Sequence, residues 1–246
     1  MIIALVWKEY REHRLAWLFM AATTTASFLA ATWILAPKLF KPLFTGGHDF
    51  LNDTTAILGI TITIVYGLVC GAIMFAGESE GGTLPFLDSL TRSRAWVWIA
   101  KVLIGAVFVV GQLVILHAVT RALELQPGTF YLAPLSWLQV TALFAVLSFC
   151  IAHFFVLIFQ KSSVAVIVSF FLSAFALSAW FFGGEGQDLT IWSVFVPPVF
   201  LVIGTGCSMR SWAAGRLGEW RSIARLTVCG LLALGWIFAN DWYLRW

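Results

Sequence analysis

Glu78 and Glu80 are separated by one residue, so two carboxyl groups lie close together along the chain. Paired carboxylates can act as general acid and general base when both are held in a fixed geometry. Here they are followed by Gly81 and Gly82, which give the backbone conformational freedom. The pair therefore does not favour acid–base catalysis.

His117 and His153 are the next candidates, because each lies inside a long apolar segment where ionisable residues are functional candidates. A metalloenzyme is expected to place paired ligands at helical spacing, as in His-Glu-x-x-His, and neither histidine has such a neighbour. Gln112 precedes His117 by five residues. For all three side chains we expect hydrogen-bonded contacts between helices, with a position on a transport pathway as the alternative.

The cysteines do not add a metal or redox centre. All four lie in or at the end of apolar runs, without the short spacing typical of zinc or redox motifs, and are expected to be small buried side chains: Cys70, Cys150, Cys207 and Cys229. The sequence also contains no glycine-rich phosphate loop ending in Gly-Lys-Ser or Gly-Lys-Thr. We expect no metal and no cofactor on this chain.

The elements that position these residues follow from composition. Of 246 residues, 61% are hydrophobic and only 11% are charged, too few to cover a water-soluble domain. The formal charge of +3 comes from scattered bases, which does not indicate a nucleic-acid partner. The sequence therefore predicts an all-α transmembrane helix bundle, in a lipid bilayer.

A transmembrane helix needs about 20 apolar residues. Seven segments approach this length, and the seventh is the shortest: 16–36, 55–76, 97–119, 135–159, 164–182, 191–209 and 226–240. The sixth contains Pro197 and Pro198, which remove two amide protons and predict a bend. An alternative with six spans makes 191–209 a re-entrant hairpin, but it would leave four arginines of the 210–225 segment on the outer face.

Two further patterns fit a bundle in lipid. Gly67 and Gly71 form a small-xxx-small pair that lets two helices approach closely. Six tryptophans lie near predicted span ends, as expected of interfacial belts: Trp17, Trp33, Trp96, Trp98, Trp180 and Trp192.

Orientation follows from the lysines and arginines, which favour the cytoplasmic side. With the N-terminus inside, eleven bases are cytoplasmic and four are not, these four being Lys38, Lys41, Arg121 and Arg245. Residues 1–15 carry Ile3, Val6, Trp7 and Tyr10 at helical spacing and charges opposite, which predicts an amphipathic interfacial helix before the first span. We expect a multi-pass protein of the cell (inner or plasma) membrane with a cytoplasmic N-terminus.

The connection between the second and third spans, 77–96, has a pattern of its own. Thr83 is a suitable N-cap and Pro85 fits the first turn, which predicts a helix of about two turns. Phe86, Leu87 and Leu90 would share one side of it, and leaving each in water would cost roughly 1.5–3 kcal/mol. We therefore expect a covering partner protein, with a helix lying on the lipid headgroups as the alternative.

This stretch resembles the membrane subunits of the ABC-2 class of ATP-binding-cassette transporters. The segment after their second span reads approximately Glu-x-Glu-x-Gly-Thr-Leu-x-x-Leu-Leu-Ser-x-Pro-x-Ser-Arg, with a Lys seven residues later. The matching residues here are Glu78, Glu80, Gly82, Thr83, Leu84, Leu87, Ser89, Ser93, Arg94 and Lys101. Thr91 replaces the family's Pro, and Arg92 replaces an apolar residue.

The resemblance covers 1–209 and implies an ABC-2 transmembrane domain, with 210–246 a basic segment and a probable seventh span. It implies that the helix around 83–90 is a coupling helix on a cytoplasmic ATPase subunit, which would bind ATP and Mg²⁺, and that a second permease subunit, identical or similar, completes the pathway. The coupling residues would be Glu78, Glu80, Gly82, Thr83, Leu84, Phe86, Leu87, Leu90, Arg94 and Lys101.

The expected function is therefore an ABC exporter permease that is not itself an enzyme, with its substrate open. The alternative is an ion-coupled carrier, or an intramembrane enzyme built around His117 and His153, without an ATPase.

The charge asymmetry predicts that the 77–96 connection faces the cytoplasm. A Ser79→Cys variant in sealed cells should resist an impermeant thiol reagent applied from outside and react after permeabilisation. Labelling from outside would reverse the topology.

Overall fold

The computed structural model describes residues 2–35, 47–80, 94–123, 136–159, 161–182, 191–213 and 220–245. These residues form helices and contain no strand. The prediction of an all-α protein is thereby confirmed.

Seven α-helices make up the described part of the chain. They are α1 (Ile2–Ala30), α2 (Gly47–Glu80), α3 (Arg94–Ala122), α4 (Trp137–Phe159), α5 (Ser162–Phe182), α6 (Ile191–Ala213) and α7 (Trp220–Arg245). A short π-helical segment, Ala31–Leu35, extends α1.

Four of the described helices are long and apolar enough to cross a membrane. The qualifying stretches are Ile3–Trp33, Thr55–Phe75, Ala95–Ala122 and Trp137–Phe159, which overlap the first four predicted spans. Shorter apolar stretches, Ser162–Ala174 and Val196–Met209, lie in the fifth and sixth. These findings indicate a membrane protein.

The first helix differs from its prediction. The expected interfacial helix over 1–15 and the first span form one continuous helix, Ile2–Ala30. No proline or glycine interrupts this stretch, so nothing in the backbone forces a break. Trp7 and Ile3 are exposed, as an apolar outer face requires. Glu9 is buried, although the sequence pattern predicts no functional role for it.

The connection between α2 and α3 is shorter than expected. Helix α2 continues to Glu80, so Glu78 and Glu80 belong to its last turn, and α3 begins at Arg94. Residues 81–93, which hold Gly82, Thr83, Leu84, Phe86, Leu87 and Leu90, lie outside the described residues. The predicted coupling helix stays a prediction.

Helix α6 runs through Pro197 and Pro198 without interruption. A re-entrant hairpin over 191–209 would need a chain reversal, and this helix contains none. Helix α7 covers 26 residues, which is longer than the predicted 226–240 span. The continuous α6 does not fit a hairpin within 191–209, whereas the length of α7 fits either number of spans.

The centre of the bundle is the contact between α2 and α4, the most extensive in the described structure. A Cβ atom added to Gly67 would lie 2.7 Å from the carbonyl oxygen of Ala145. One added to Gly71 would collide with the carbonyl oxygen of Phe149 and approach Ala152 Cβ to 3.0 Å. The two glycines therefore allow the backbones to touch, and the predicted small-residue packing is confirmed.

Contacts along the helices give their directions. Along α1 and α3, Glu9 meets Lys101 and Thr24 meets Gln112, so these helices are parallel. Along α2 and α4, Gly59 faces Trp137 and Gly71 lies against Phe149 and His153, so this pair is also parallel.

The two pairs run in opposite directions. Lys101 contacts Met74 near the end of α2, whereas Ala56, near its start, belongs to a buried cluster with Phe28, Leu116 and Trp137. We call the end of the bundle that holds Glu9, Met74 and Lys101 the Glu9 end. The first four helices thus alternate in direction, as successive membrane spans must.

Close packing at Gly71 predicts a strong asymmetry between two glycine substitutions. Gly71→Ala should destabilise the protein by about 1–3 kcal/mol, because the methyl group forces the α2 and α4 backbones apart. Gly235→Ala on α7 is the matched control, since nothing lies within 4 Å of its added Cβ and alanine favours the helix. Unfolding of both purified variants in one detergent measures the difference, and equal stability would contradict the packing.

Candidate functional site

A buried ion pair joins three helices at the Glu9 end. Lys101 Nζ on α3 donates hydrogen bonds to Glu9 Oε2 on α1 and to the carbonyl oxygen of Met74 on α2, both at 2.9 Å. Both charged residues are only 1% exposed. Charges this deeply buried need a partner, and each provides one for the other.

Further basic side chains surround the Glu9 carboxylate. Lys8 Nζ lies 3.6 Å from Glu9 Oε1, and His13 Nε2 lies 3.6 Å from Glu9 Oε2. Lys8 Nζ also lies 3.5 Å from Glu12 Oε2, and the Glu12 side chain is much more exposed to solvent than that of Glu9. The carboxylate therefore faces basic groups of its own helix as well as Lys101.

Aromatic rings extend the site to α4. Lys101 Nζ lies 5.6 Å from the ring centre of Phe75, within cation–π range. The same ring makes an edge-on contact with His153, with 4.2 Å between ring centres. His153 thus connects to the ion pair through one aromatic ring, and α4 becomes the fourth helix of the site.

His153 is completely buried, and neither ring nitrogen has a hydrogen-bond partner in the described structure. The expectation of a hydrogen-bonded interhelical contact is wrong for this residue. Its ring packs between Phe75 and Phe149, the latter 5.8 Å away between centres. Apolar packing replaces the expected hydrogen bond.

Gln112 does make the expected kind of contact, because its Nε2 donates to Thr24 Oγ1 of α1 at 2.8 Å. His117 is half-buried one and a half turns further along α3, and its backbone carbonyl accepts a hydrogen bond from Thr120 Oγ1. Pro197 and Pro198 are buried in α6, and no hydrogen bond or ion pair of the described residues joins them to Glu9 or Lys101. The structure does not gather these residues into one site.

The predicted coupling residues divide into two groups. Lys101 belongs to the buried ion pair, while Glu78, Glu80 and Arg94 flank the 81–93 connection on the last turn of α2 and the first turn of α3. The remaining predicted coupling residues belong to 81–93 and lie outside the described residues. Lys101, the last residue of the motif, therefore belongs to a buried polar centre.

Glu9, Glu12 and His13 could offer ligand atoms within 4.8 Å of one another. Lys101 and Lys8 already lie against these carboxylates and would repel a cation. The arrangement is best described as an ion-pair network.

Two of the tryptophans predicted to lie in interfacial belts donate hydrogen bonds to neighbouring helices. Trp17 Nε1 donates to the carbonyl oxygen of Phe108 at 3.1 Å, and Trp98 Nε1 donates to Thr205 Oγ1 at 3.2 Å. These bonds join α1 to α3 and α3 to α6. Their polar groups therefore bind neighbouring helices rather than the membrane surface.

Glu9 is the functional candidate that sequence reasoning missed. A signal was present, because Lys101 lies inside an apolar segment and such a charge needs a counter-charge. Local sequence does not choose among several acidic residues that could supply this counter-charge: Glu9, Glu12, Glu78 and Glu80.

No family model matches the chain, and no curated protein or solved structure matches it either.

The ion pair predicts a coupled pair of substitutions. Glu9→Gln and Lys101→Met should each reduce the free energy of unfolding by about 1.5–3 kcal/mol, because each removes a charge-assisted hydrogen bond and leaves a buried charge with its local partners alone. The double variant should lose less than the sum of the two single losses, by at least about 1.5 kcal/mol. Denaturation in one detergent measures all three.

Glu12→Gln serves as the control, since its exposed pair with Lys8 should contribute less than about 1 kcal/mol. Additive losses in the double variant would show that Glu9 and Lys101 do not interact.

Proposed function

We propose that this chain is the membrane-spanning permease subunit of an ABC exporter, driven by ATP that a separate cytoplasmic subunit hydrolyses. The observation that carries the proposal is the place of the ABC-2-like stretch in the fold. It joins two long apolar helices, α2 and α3, and its last matching residue, Lys101, is bonded to α1 and α2.

This placement suits a segment that receives a mechanical input. A displacement of 81–93 acts directly on the C-terminus of α2 and the N-terminus of α3. Lys101 connects that movement to Glu9 of α1, and Gly71 connects it to α4 through direct backbone packing. Charge-assisted hydrogen bonds contribute about 1.5–3 kcal/mol each, enough to hold the first turns of α1 against α3 in this structure.

Charge distribution supports a cytoplasmic Glu9 end. Lys8, Arg11 and Arg14 lie in the first half of α1, and Arg94 begins α3. Trp98 bonds Thr205 near the end of α6, which brings Arg210 of α6 to the same end, and Arg221 and Arg225 lie at the start of α7. Under the positive-inside rule this end faces the cytoplasm, where an ATPase would be reached.

Seven spans form part of the proposal. Gly204 faces Cys229, and the Arg225 side chain bonds the carbonyl oxygen of Cys207, so α6 and α7 are antiparallel. Helix α7 therefore leaves the Glu9 end, as a seventh span would.

The proposed assembly contains a second permease subunit in the cell membrane. Exposed apolar side chains continue along α3 and α5, including Val107, Val114, Ile167 and Phe171. Lipid covers most of such a surface, and an identical or similar chain covers the rest in the proposed transporter.

The proposal predicts that Phe86→Asp and Leu87→Asp abolish co-purification with the ATPase, because a buried carboxylate would replace an apolar contact. Ser89→Asp is the matched control, since it adds the same charge on the other side of the predicted helix. The co-expressed ATPase from a neighbouring gene is pulled down with each tagged variant.

Membrane insertion is checked by the yield of folded protein in detergent. Undiminished ATPase recovery with both apolar-face variants would favour the alternative in which this segment lies on lipid headgroups.

A further inference from the structure

Each partner of the Glu9–Lys101 ion pair has a second set of contacts on its own side of the interface. Glu9 lies within 3.6 Å of Lys8 and His13, both on α1. Lys101 donates to the Met74 carbonyl oxygen and lies over the Phe75 ring, both on α2. Separation of the pair would therefore leave both charges with local partners.

The rest of the α1–α3 interface is held independently. Trp17 donates to the carbonyl oxygen of Phe108, and its ring stacks on the Phe108 ring with 5.4 Å between centres. Further along, Gln112 donates to Thr24. These contacts lie about 12 Å and more than 20 Å along α1 from Glu9, at 1.5 Å per residue. They would keep α1 attached if its first turns moved away.

The cost of separation is thus reduced on both sides. A buried charge that loses its only partner costs several kcal/mol, whereas one that keeps a hydrogen bond or a nearby counter-charge loses only part of that energy. A contact with these properties can exchange between two states.

We propose that Glu9 is a positioning residue of the transport cycle, whose releasable bond to Lys101 couples the first turns of α1 to movements of the adjoining ends of α2 and α3. This inference rests on the proposed function. In this structure the bond holds α1 against α3. When the C-terminus of α2 and the N-terminus of α3 move, Lys101 stays with α2 and Glu9 stays with Lys8 and His13, so α1 pivots about the Trp17 and Thr24 contacts.

Distance measurements between spin labels test the contact without an ATPase. One label pair, Ala4→Cys and Leu103→Cys, reports on the Glu9 end from exposed positions. A second pair, Ala22→Cys and Val110→Cys, reports on the region held by Trp17 and Thr24. Both pairs are placed in a background with Cys207→Ser and Cys229→Ser, since these two thiols are exposed or partly exposed.

Glu9→Gln should broaden or lengthen the distance distribution of the first pair and leave the second unchanged. Glu12→Gln, one turn away and more exposed, should change neither. An unchanged first pair would overturn the proposal. Equal changes in both pairs would also overturn it, because they would make Glu9 a general packing residue.

The second arm measures ATP hydrolysis by the purified complex in vesicles. The Glu9→Gln variant should still bind the ATPase, but the factor by which the membrane subunit stimulates ATP hydrolysis should fall at least about tenfold. A tenfold loss is the equivalent of one charge-assisted hydrogen bond. Glu12→Gln should hydrolyse ATP at the wild-type rate. Normal stimulation in Glu9→Gln, despite altered distances, would overturn the coupling role.

The two arms separate the possible failures. If the wild-type chain neither binds nor stimulates the ATPase, the proposed function fails and the coupling role fails with it, while the distance measurements still report whether the contact is releasable. If stimulation is present in the wild type and Glu9→Gln leaves both readouts unchanged, only the inference about Glu9 fails.

Discussion

The structure depends on neutralising one lysine inside an apolar bundle. Lys101 cannot reach water from its buried position on α3, and the cost of an isolated buried charge amounts to several kcal/mol. Glu9 and the Met74 carbonyl oxygen together satisfy it. Since these groups belong to α1 and α2, the position of one charge fixes the register of three helices. A rotation of α1 by one residue would turn Glu9 about 100° away from its partner.

The glycine contact between α2 and α4 is a constraint of a different kind. It has no charge and no directional bond, and its specificity comes from the absence of side chains at Gly67 and Gly71. Because the backbones touch, little sliding is available without a collision. Phe75 connects this apolar contact to the ion pair, since its ring lies near Lys101 and against His153. The two constraints therefore act on the same end of α2.

Local sequence patterns predicted the helices well and the polar contacts poorly. Apolar segment length located the long helices, and the Gly67–Gly71 spacing predicted close packing because both features depend on neighbouring residues. Glu9 was missed because its partner is 92 residues away. The interhelical hydrogen bonds of Trp17 and Trp98 were missed for the same reason, since a tryptophan near a span end suits a membrane surface and a hydrogen bond to another helix equally well. The join at residues 15 and 16 was placed by a change in composition, which does not break a helix.

The two interfaces differ in how easily they can open. Moving α4 from α2 would expose a continuous strip of closely packed backbone and lose many van der Waals contacts together. The α1–α3 interface is joined instead by separate polar contacts, at Glu9, Trp17 and Thr24. Interhelical hydrogen bonds in membrane proteins average only about 0.6 kcal/mol, because separated groups find other partners. Glu9 and Lys101 have such partners nearby, so the Glu9 end of α1 can move while α2 and α4 remain a fixed pair. That division between a fixed pair and a releasable helix would suit the permease function proposed for this chain, in which movement enters at the adjoining ends of α2 and α3.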